Sequence, residues 1–225
     1  MAKDDVTKSF KFIGTRPNRP DGFEKVTGRA KYGADISAVG MLHGAVLRSP
    51  YAHARIKSIN FEKAAKLDGV KAIITRDDFP KDREGEPLKL LENTIAGEIA
   101  YYDGHAIAAV AATSVFTAKE ALKEIEVEYE VLPHVIDVDD AMKPDAPIVR
   151  ENAGDFSVPE GSSPNVASYI EFGRGDIANG FDKADIVKSG LFKTEAAHQG
   201  YIEPHACMAQ LDQNGQGEMW VCTQG

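Results

Sequence analysis

Residues 41–59 read Met-Leu-His-Gly-Ala-Val-Leu-Arg-Ser-Pro-Tyr-Ala-His-Ala-Arg-Ile-Lys-Ser-Ile. The apolar stretch from Leu42 to Leu47 runs into a turn at Arg48-Ser49-Pro50. Pro50 fixes its own φ and pushes Ser49 out of the helical region, so the chain must bend there. Beyond the turn, Ala54, Ile56 and Ile59 are apolar while Arg55, Lys57 and Ser58 are not, the pattern of a half-buried strand. An acidic-apolar helix follows over 61–67, and the chain restarts at Gly69-Val70.

Outward from this segment, short strands and short helices alternate from Gly22 to about Ala141. Val70 to Thr75 is a compact strand. Ala106 to Ala112 is apolar throughout, which predicts a strand buried on both faces. Thr113 or Ser114 can cap the next helix, whose Val115, Ala118, Ala121, Leu122 and Ile125 share one face. Alternating Ile125 to Val131 then makes a strand with its carboxylates outward, stopped by Pro133. Residues 80–98 read as a charged, mostly irregular excursion. Ile186 to Glu195 and Met208 to Leu211 read as strands. Asp212 to Gly217 is a turn, and Met219 to Thr223 returns as the hairpin partner. There is no internal repeat.

The chain has 225 residues, 43% of them hydrophobic and 27% charged, an ordinary globular composition. A formal net charge of −9 argues against nucleic acid or an anionic membrane as partner. No apolar run approaches the roughly 20 residues of a spanning helix. The hydrophilic start Met-Ala-Lys-Asp-Asp-Val-Thr-Lys reads against a secretory signal. Cys207 and Cys222 are too few for a disulfide framework and read as reduced, buried thiols, so a cytoplasmic location is expected.

Taken together, these segments resemble the molybdenum-binding large subunit of the xanthine dehydrogenase and aldehyde oxidase family, in its N-terminal part with the a/b hammerhead domain. The Ser49-Pro-Tyr-Ala-His-Ala-Arg55 turn carries the resemblance, with Glu24 to Tyr32 upstream. Tyr102-Asp-Gly-His105, Ala118-Lys-Glu-Ala121 and Val127 to Pro133 lie downstream. Gly175-Asp176, Phe181 to Asp185, Gln199, Glu203-Pro204 and Thr223-Gln-Gly225 resemble the start of the cofactor domain that follows. The implied fold is α+β, hammerhead-like, a mixed sheet with short helices followed by the first strands of an incomplete molybdopterin-binding domain. The implied division is an arm over 1–19, the hammerhead over 20–142, a proline-punctuated linker over 143–169, and the start of the cofactor domain over 170–225.

The resemblance implies one cofactor-binding residue, Gln224, whose neutral amide hydrogen-bonds an oxygen ligand of the molybdenum without competing for the metal. It implies molybdenum-molybdopterin in the complete enzyme, with iron-sulfur clusters and FAD on partner subunits. The reaction implied is hydroxylation of an aldehyde, N-heterocycle or aromatic thioester with oxygen from water. The family's catalytic glutamate has no counterpart in this sequence, so no catalytic residue is assigned and the chain alone is expected to be inactive. The implied partners are the remainder of the molybdopterin subunit, an iron-sulfur subunit and a flavin subunit.

Other readings compete with this one. His198, Glu203 and His205 make the ligand set of a small metal-dependent enzyme. Against that, Pro204 interrupts them, and the plainer reading is a buried, hydrogen-bonded cluster leading toward Gln224; no metal site is assigned. Tyr51, His53 and Asp103-Gly104-His105 read as structural turn residues. A free-standing, non-catalytic α/β assembly module is the alternative from another class. Segment 170–225 ends on a strand with nothing to cover its sheet, so it is expected to be completed by further chain.

Overall fold

A computed structural model of the protein describes residues 11–80, 86–151, 158–198, 200 and 203–223. Their helices are α1 (Gly22–Val26), α2 (Glu62–Ala65), α3 (Glu86–Thr94), α4 (Val115–Lys123), α5 (Val138–Ala141) and α6 (Ile177–Asp182). Their strands are β1 (His43–Arg48), β2 (Ala54–Asn60), β3 (Val70–Thr75), β4 (Ile99–Ala100), β5 (Ala106–Ala112), β6 (Glu126–Val131), β7 (Cys207–Leu211) and β8 (Gly217–Val221). The chain divides into two compact units, Gly40–Gly190 and Met1–Val39 with Leu191–Gly225.

In the Gly40–Gly190 unit, antiparallel strands run in the orders β1-β5-β3 and β4-β2-β6. Central β5 explains the first sheet. Its Ala108 and Val110 are buried against Ala64 of α2, Ala121 of α4 and Ile125. On the opposite face Ile107 is buried with Ala96 and Ala100. The expectation that β5 is covered on both faces along its length needs correction, however. Ala109 and Ala111 are only half-buried, and Val46 and Ile74, which pair with Ala109, are 41% and 38% exposed. An all-apolar strand shows how much a residue tolerates burial, not which face is covered.

Turn and cap chemistry sets the joints. Gly69 sits at φ +90°, and a Cβ there would fall 2.6 Å from Thr113 Oγ1, so no other residue fits. Ser114 is the cap of α4, its hydroxyl accepting the Thr117 N–H at 3.0 Å. The buried stripe of α4 is narrower than its spacing suggested: Ala118 and Ala121 are buried, but Val115 is half exposed. Strand β6 alternates as expected, with Glu126, Glu128 and Glu130 outward.

Two expectations for the connecting segments change. Residues 80–98 are not mostly irregular: Glu86–Thr94 is helical. Pro87 stands in the first turn, where its missing N–H costs nothing, and Ile95 is buried just past the last turn. Ile186 to Glu195 forms no strand, and every residue there is exposed. β-branched composition becomes strand only where a neighbour offers a ladder. In the segment expected to be a linker, Asn165 accepts the Val149 N–H at 3.1 Å and donates to the carbonyls of Ala141 (3.1 Å) and Pro147 (3.0 Å). The Arg150 guanidinium lies 4.0 Å from the centre of the Tyr101 ring.

The other unit is built on the β7–β8 hairpin. Asp212 closes its turn, its carboxylate accepting the N–H groups of Asn214 and Gln216, both at 2.8 Å. The register runs from Cys207 opposite Val221 to Leu211 opposite Gly217. The return strand therefore begins two positions before the expected Met219.

Candidate functional site

Gln224, the residue singled out for a cofactor, lies outside the described residues, as do Gln199 and Gly225. What precedes Gln224 is described. After Val221 the chain stays tied to the other strand, with the Cys222 N–H donating to the Ala206 carbonyl at 3.3 Å. The Cys222 thiol donates to the Pro204 carbonyl at 3.1 Å and takes the Ala206 N–H at 3.0 Å. A single helical turn, Gly33–Asp35, backs the same stretch: the Gly33 N–H donates to Glu203 Oε1 at 3.3 Å. A Cβ on Gly33 would meet the Ala206 carbonyl at 3.5 Å, an ordinary contact. Segment 203–206 thus holds the chain at Cys222 through its main chain and its thiol.

His198, Glu203 and His205 do not form the buried cluster read from the sequence. Both histidines are exposed, with ring centres 6.3 Å apart, and His198 Nδ1 accepts the Gly200 N–H at 3.1 Å. Glu203 is turned to Gly33 instead. The cause is local: Pro204 keeps this stretch out of the β7 ladder, so alternation does not apply to it. Among the described residues no group of three or more His, Cys, Asp or Glu side chains is arranged to hold a metal ion. Cys207 is exposed and Cys222 half-buried, not both buried as the sequence suggested. The described side chains at the exit, the Thr223 hydroxyl and the Cys222 thiol, are neutral. Groups of that kind suit a cofactor that brings its own metal ligands and accepts hydrogen bonds from the protein.

The second constellation joins two turns in the Gly40–Gly190 unit. Ser49, 2% exposed, takes the His105 carbonyl with its N–H at 2.8 Å, and its own carbonyl takes the Gly104 N–H at 2.9 Å. Arg48 Nη1 donates to the Gly104 carbonyl at 2.8 Å. His53 is 6% exposed, and its Nδ1 lies 2.7 Å from the Pro133 carbonyl. Because a carbonyl only accepts, Nδ1 carries the proton. His53 thus ties its turn to the Pro133 carbonyl, and Ser49 ties its own to the 104–105 turn. Tyr51 packs edge-on to Tyr129 at 5.2 Å, and burial first, then the Tyr51 phenol, pushes the Tyr129 hydroxyl pKa up. Sequence reading missed how fully His105 is enclosed and the parts of Arg150 and Asn165. The one available signal was Asp103-Gly104-His105 immediately before an apolar strand.

A cleft of about 570 Å³ opens beside β2, edged by Lys57, Arg76, Glu92 and Glu98. It contains none of the candidate site residues.

Comparison with known proteins agrees with these features. The family model for the aldehyde oxidase and xanthine dehydrogenase a/b hammerhead domain matches residues 27–133. The model for the molybdopterin cofactor-binding domain matches residues 158–225. The nicotinate dehydrogenase large molybdopterin subunit of Eubacterium barkeri is 33% identical over 96% of this chain and 48% of its own length. The carbon monoxide dehydrogenase large chain of Afipia carboxidovorans is 31% identical over 92% of this chain and 26% of its own. The crystal structure of quinoline 2-oxidoreductase from Pseudomonas putida 86 superposes with a TM-score of 0.75 at 30% identity, covering 94% of this chain and 27% of that one. The chain thus spans half or less of these relatives' length. With antiparallel sheets and short helices in an α+β arrangement, it belongs to the xanthine dehydrogenase and aldehyde oxidase family and carries a part of the molybdenum-binding large subunit that includes the a/b hammerhead domain.

Proposed function

We propose that this chain is the framing part of the large subunit of a molybdenum hydroxylase, and that it works only together with the rest of that subunit. The observation that carries this reading is the hairpin exit. Strand β8 leads to Thr223, the residue before Gln224 in the sequence, through a stretch bonded to Pro204 and Ala206. One face of that hairpin remains bare, with Leu211 75%, Met219 63% and Val221 46% exposed. Uncovered apolar surface of this kind supports completion by further chain.

In this reading Gln224 donates its amide to molybdopterin, and the braced exit aims it. The cofactor, when bound, supplies the oxidative hydroxylation of an aldehyde, N-heterocycle or aromatic thioester. The chain's own residues orient the amide and wall the approach. The domain division proposed is an arm over 1–19, the hammerhead over 20–142, a linker over 143–169 and the start of the cofactor domain over 170–225. An iron-sulfur subunit and a flavin subunit are the proposed partners. No helix among the described residues is long and apolar enough to cross a membrane, and we place the assembly in the cytoplasm.

The test is co-expression of this chain with the remaining large-subunit sequence and the two partner subunits, followed by molybdenum and pterin analysis. Stoichiometric cofactor in the complex and none on the chain alone is the expected result. Cofactor retained unchanged after Gln224→Ala would remove the role of that residue, and a complex that forms without any molybdenum would overturn the reading.

A further inference from the structure

Two buried histidines of the Gly40–Gly190 unit hold their turns by opposite chemistry. His53 grips the Pro133 carbonyl through a protonated Nδ1, so its clasp does not depend on an empty lone pair. His105 is fully buried, and its Nδ1 accepts the main-chain N–H of Tyr101 at 3.2 Å. That nitrogen must be bare, which puts the ring's single proton on Nε2, where no partner of good geometry stands. Tyr102 stacks on the ring at 4.3 Å with an interplanar angle of 17°, so no water lies over that face. The His105 main chain meanwhile carries the bond to Ser49, and Tyr101 carries Arg150.

We propose that His105 is an acid-operated latch: a proton taken up at Nδ1 removes the acceptor of the Tyr101 N–H and frees the 101–105 turn from Ser49, and with it the Arg150 strap of the linker. The groups around the ring favour this outcome. Arg48 bonds the adjacent Gly104 from the end of β1, and Arg150 packs on Tyr101, so two positive charges are held against this turn. His53 stands beyond Tyr101, with those two rings 6.2 Å apart. Glu92 of α3 presents its main-chain carbonyl, and Asp103 in the same turn is exposed to water. Among the described residues no carboxylate is hydrogen-bonded to the ring. Burial is the largest influence, and it lowers the His105 pKa from its ordinary 6.5; the Glu92 carbonyl opposes this and Arg150 adds to it. A histidine depressed in the folded state gives stability that is complete above the unfolded value and is lost as pH falls through the window below it.

The test follows the full chain by thermal and urea unfolding at several pH values between about pH 7.5 and about pH 5, beside His105→Asn. Asparagine places an amide oxygen where Nδ1 accepts, and it does not titrate. Wild type is expected to lose stability on acidification, its opening constant rising by up to about tenfold per pH unit inside the window. H105N should show a flatter profile, and Arg150→Ala should open more readily at neutral pH. Parallel profiles for wild type and H105N would overturn the latch. Should H105N fail to fold, the ring-proton titration of His105 in the wild type decides. An inflection below 6.5 accompanied by a shift of the Tyr101 amide supports the latch, and an inflection at or above 6.5 sinks it.

Discussion

Strands β5 and β8 differ less in composition than in company. Strand β5, Ala-Ile-Ala-Ala-Val-Ala-Ala, lies between β1 and β3, with Ile107, Ala108 and Val110 at 1% exposure or less. Strand β8, Gly-Glu-Met-Trp-Val, has β7 alone, and Met219 and Val221 face solvent. Every buried hydrophobic residue among those described falls between Ala54 and Ile125, inside the Gly40–Gly190 unit. The hammerhead region therefore supplies its own core, while the hairpin is held by main-chain bonds and its turn. A two-stranded hairpin without a covered face is marginal in water, which is why the comparison bears on function.

The largest expected effect comes from trimming apolar groups in both places. Ile107→Ala should cost about 2–4 kcal/mol in urea unfolding, whereas Leu211→Ala in the chain alone should stay within about 0.5 kcal/mol. Equal costs would erase the distinction between the two strands. Next comes the linker. Asn165→Ala strands the Pro147 carbonyl and the Val149 N–H and leaves the Ala141 carbonyl with the Ser163 hydroxyl, an expected loss of about 1–2 kcal/mol with faster proteolysis between Ala141 and Arg150. Ser114→Ala removes the cap of α4 and should lower stability by about 1 kcal/mol, read from the thermal midpoint. The smallest effect should be at Lys63, whose 2.6 Å pair with Glu126 joins two largely exposed side chains. Lys63→Ala should leave the urea midpoint where it was, and a clear drop would mean that this surface pair supports β6.

The alternating and all-apolar runs were readable because their neighbours are close in sequence or demanded by period. Val70–Thr75 has the bounds read from the sequence, and Ala106–Ala112 likewise. The turn at Ser49 followed from Pro50 and the α4 cap from Ser114. What periodicity does not carry is the identity of the covering layer. That is why Ala109 was expected to be enclosed, and why Ile186 to Glu195 was read as a strand although it has no ladder to join. Helix α3 was hidden by charge; Leu91 in it is half-buried and Ile95 just past its end is buried. At the candidate site, the spacing of His198, Glu203 and His205 was visible, but not the pull of Gly33 on Glu203, which comes from 170 residues away. His105 was legible as a turn residue and illegible as a buried acceptor, because its enclosure depends on the Ser49 turn, 56 residues away, bonding the 104–105 main chain.

Amide hydrogen exchange of residues 207–221, in the chain alone and in the assembled large subunit, tests the central claim most directly. The account predicts weak protection of the hairpin in the isolated chain, against strong protection of 106–112, and a large gain for the hairpin on assembly. A hairpin as protected as β5 before any partner is added would contradict it.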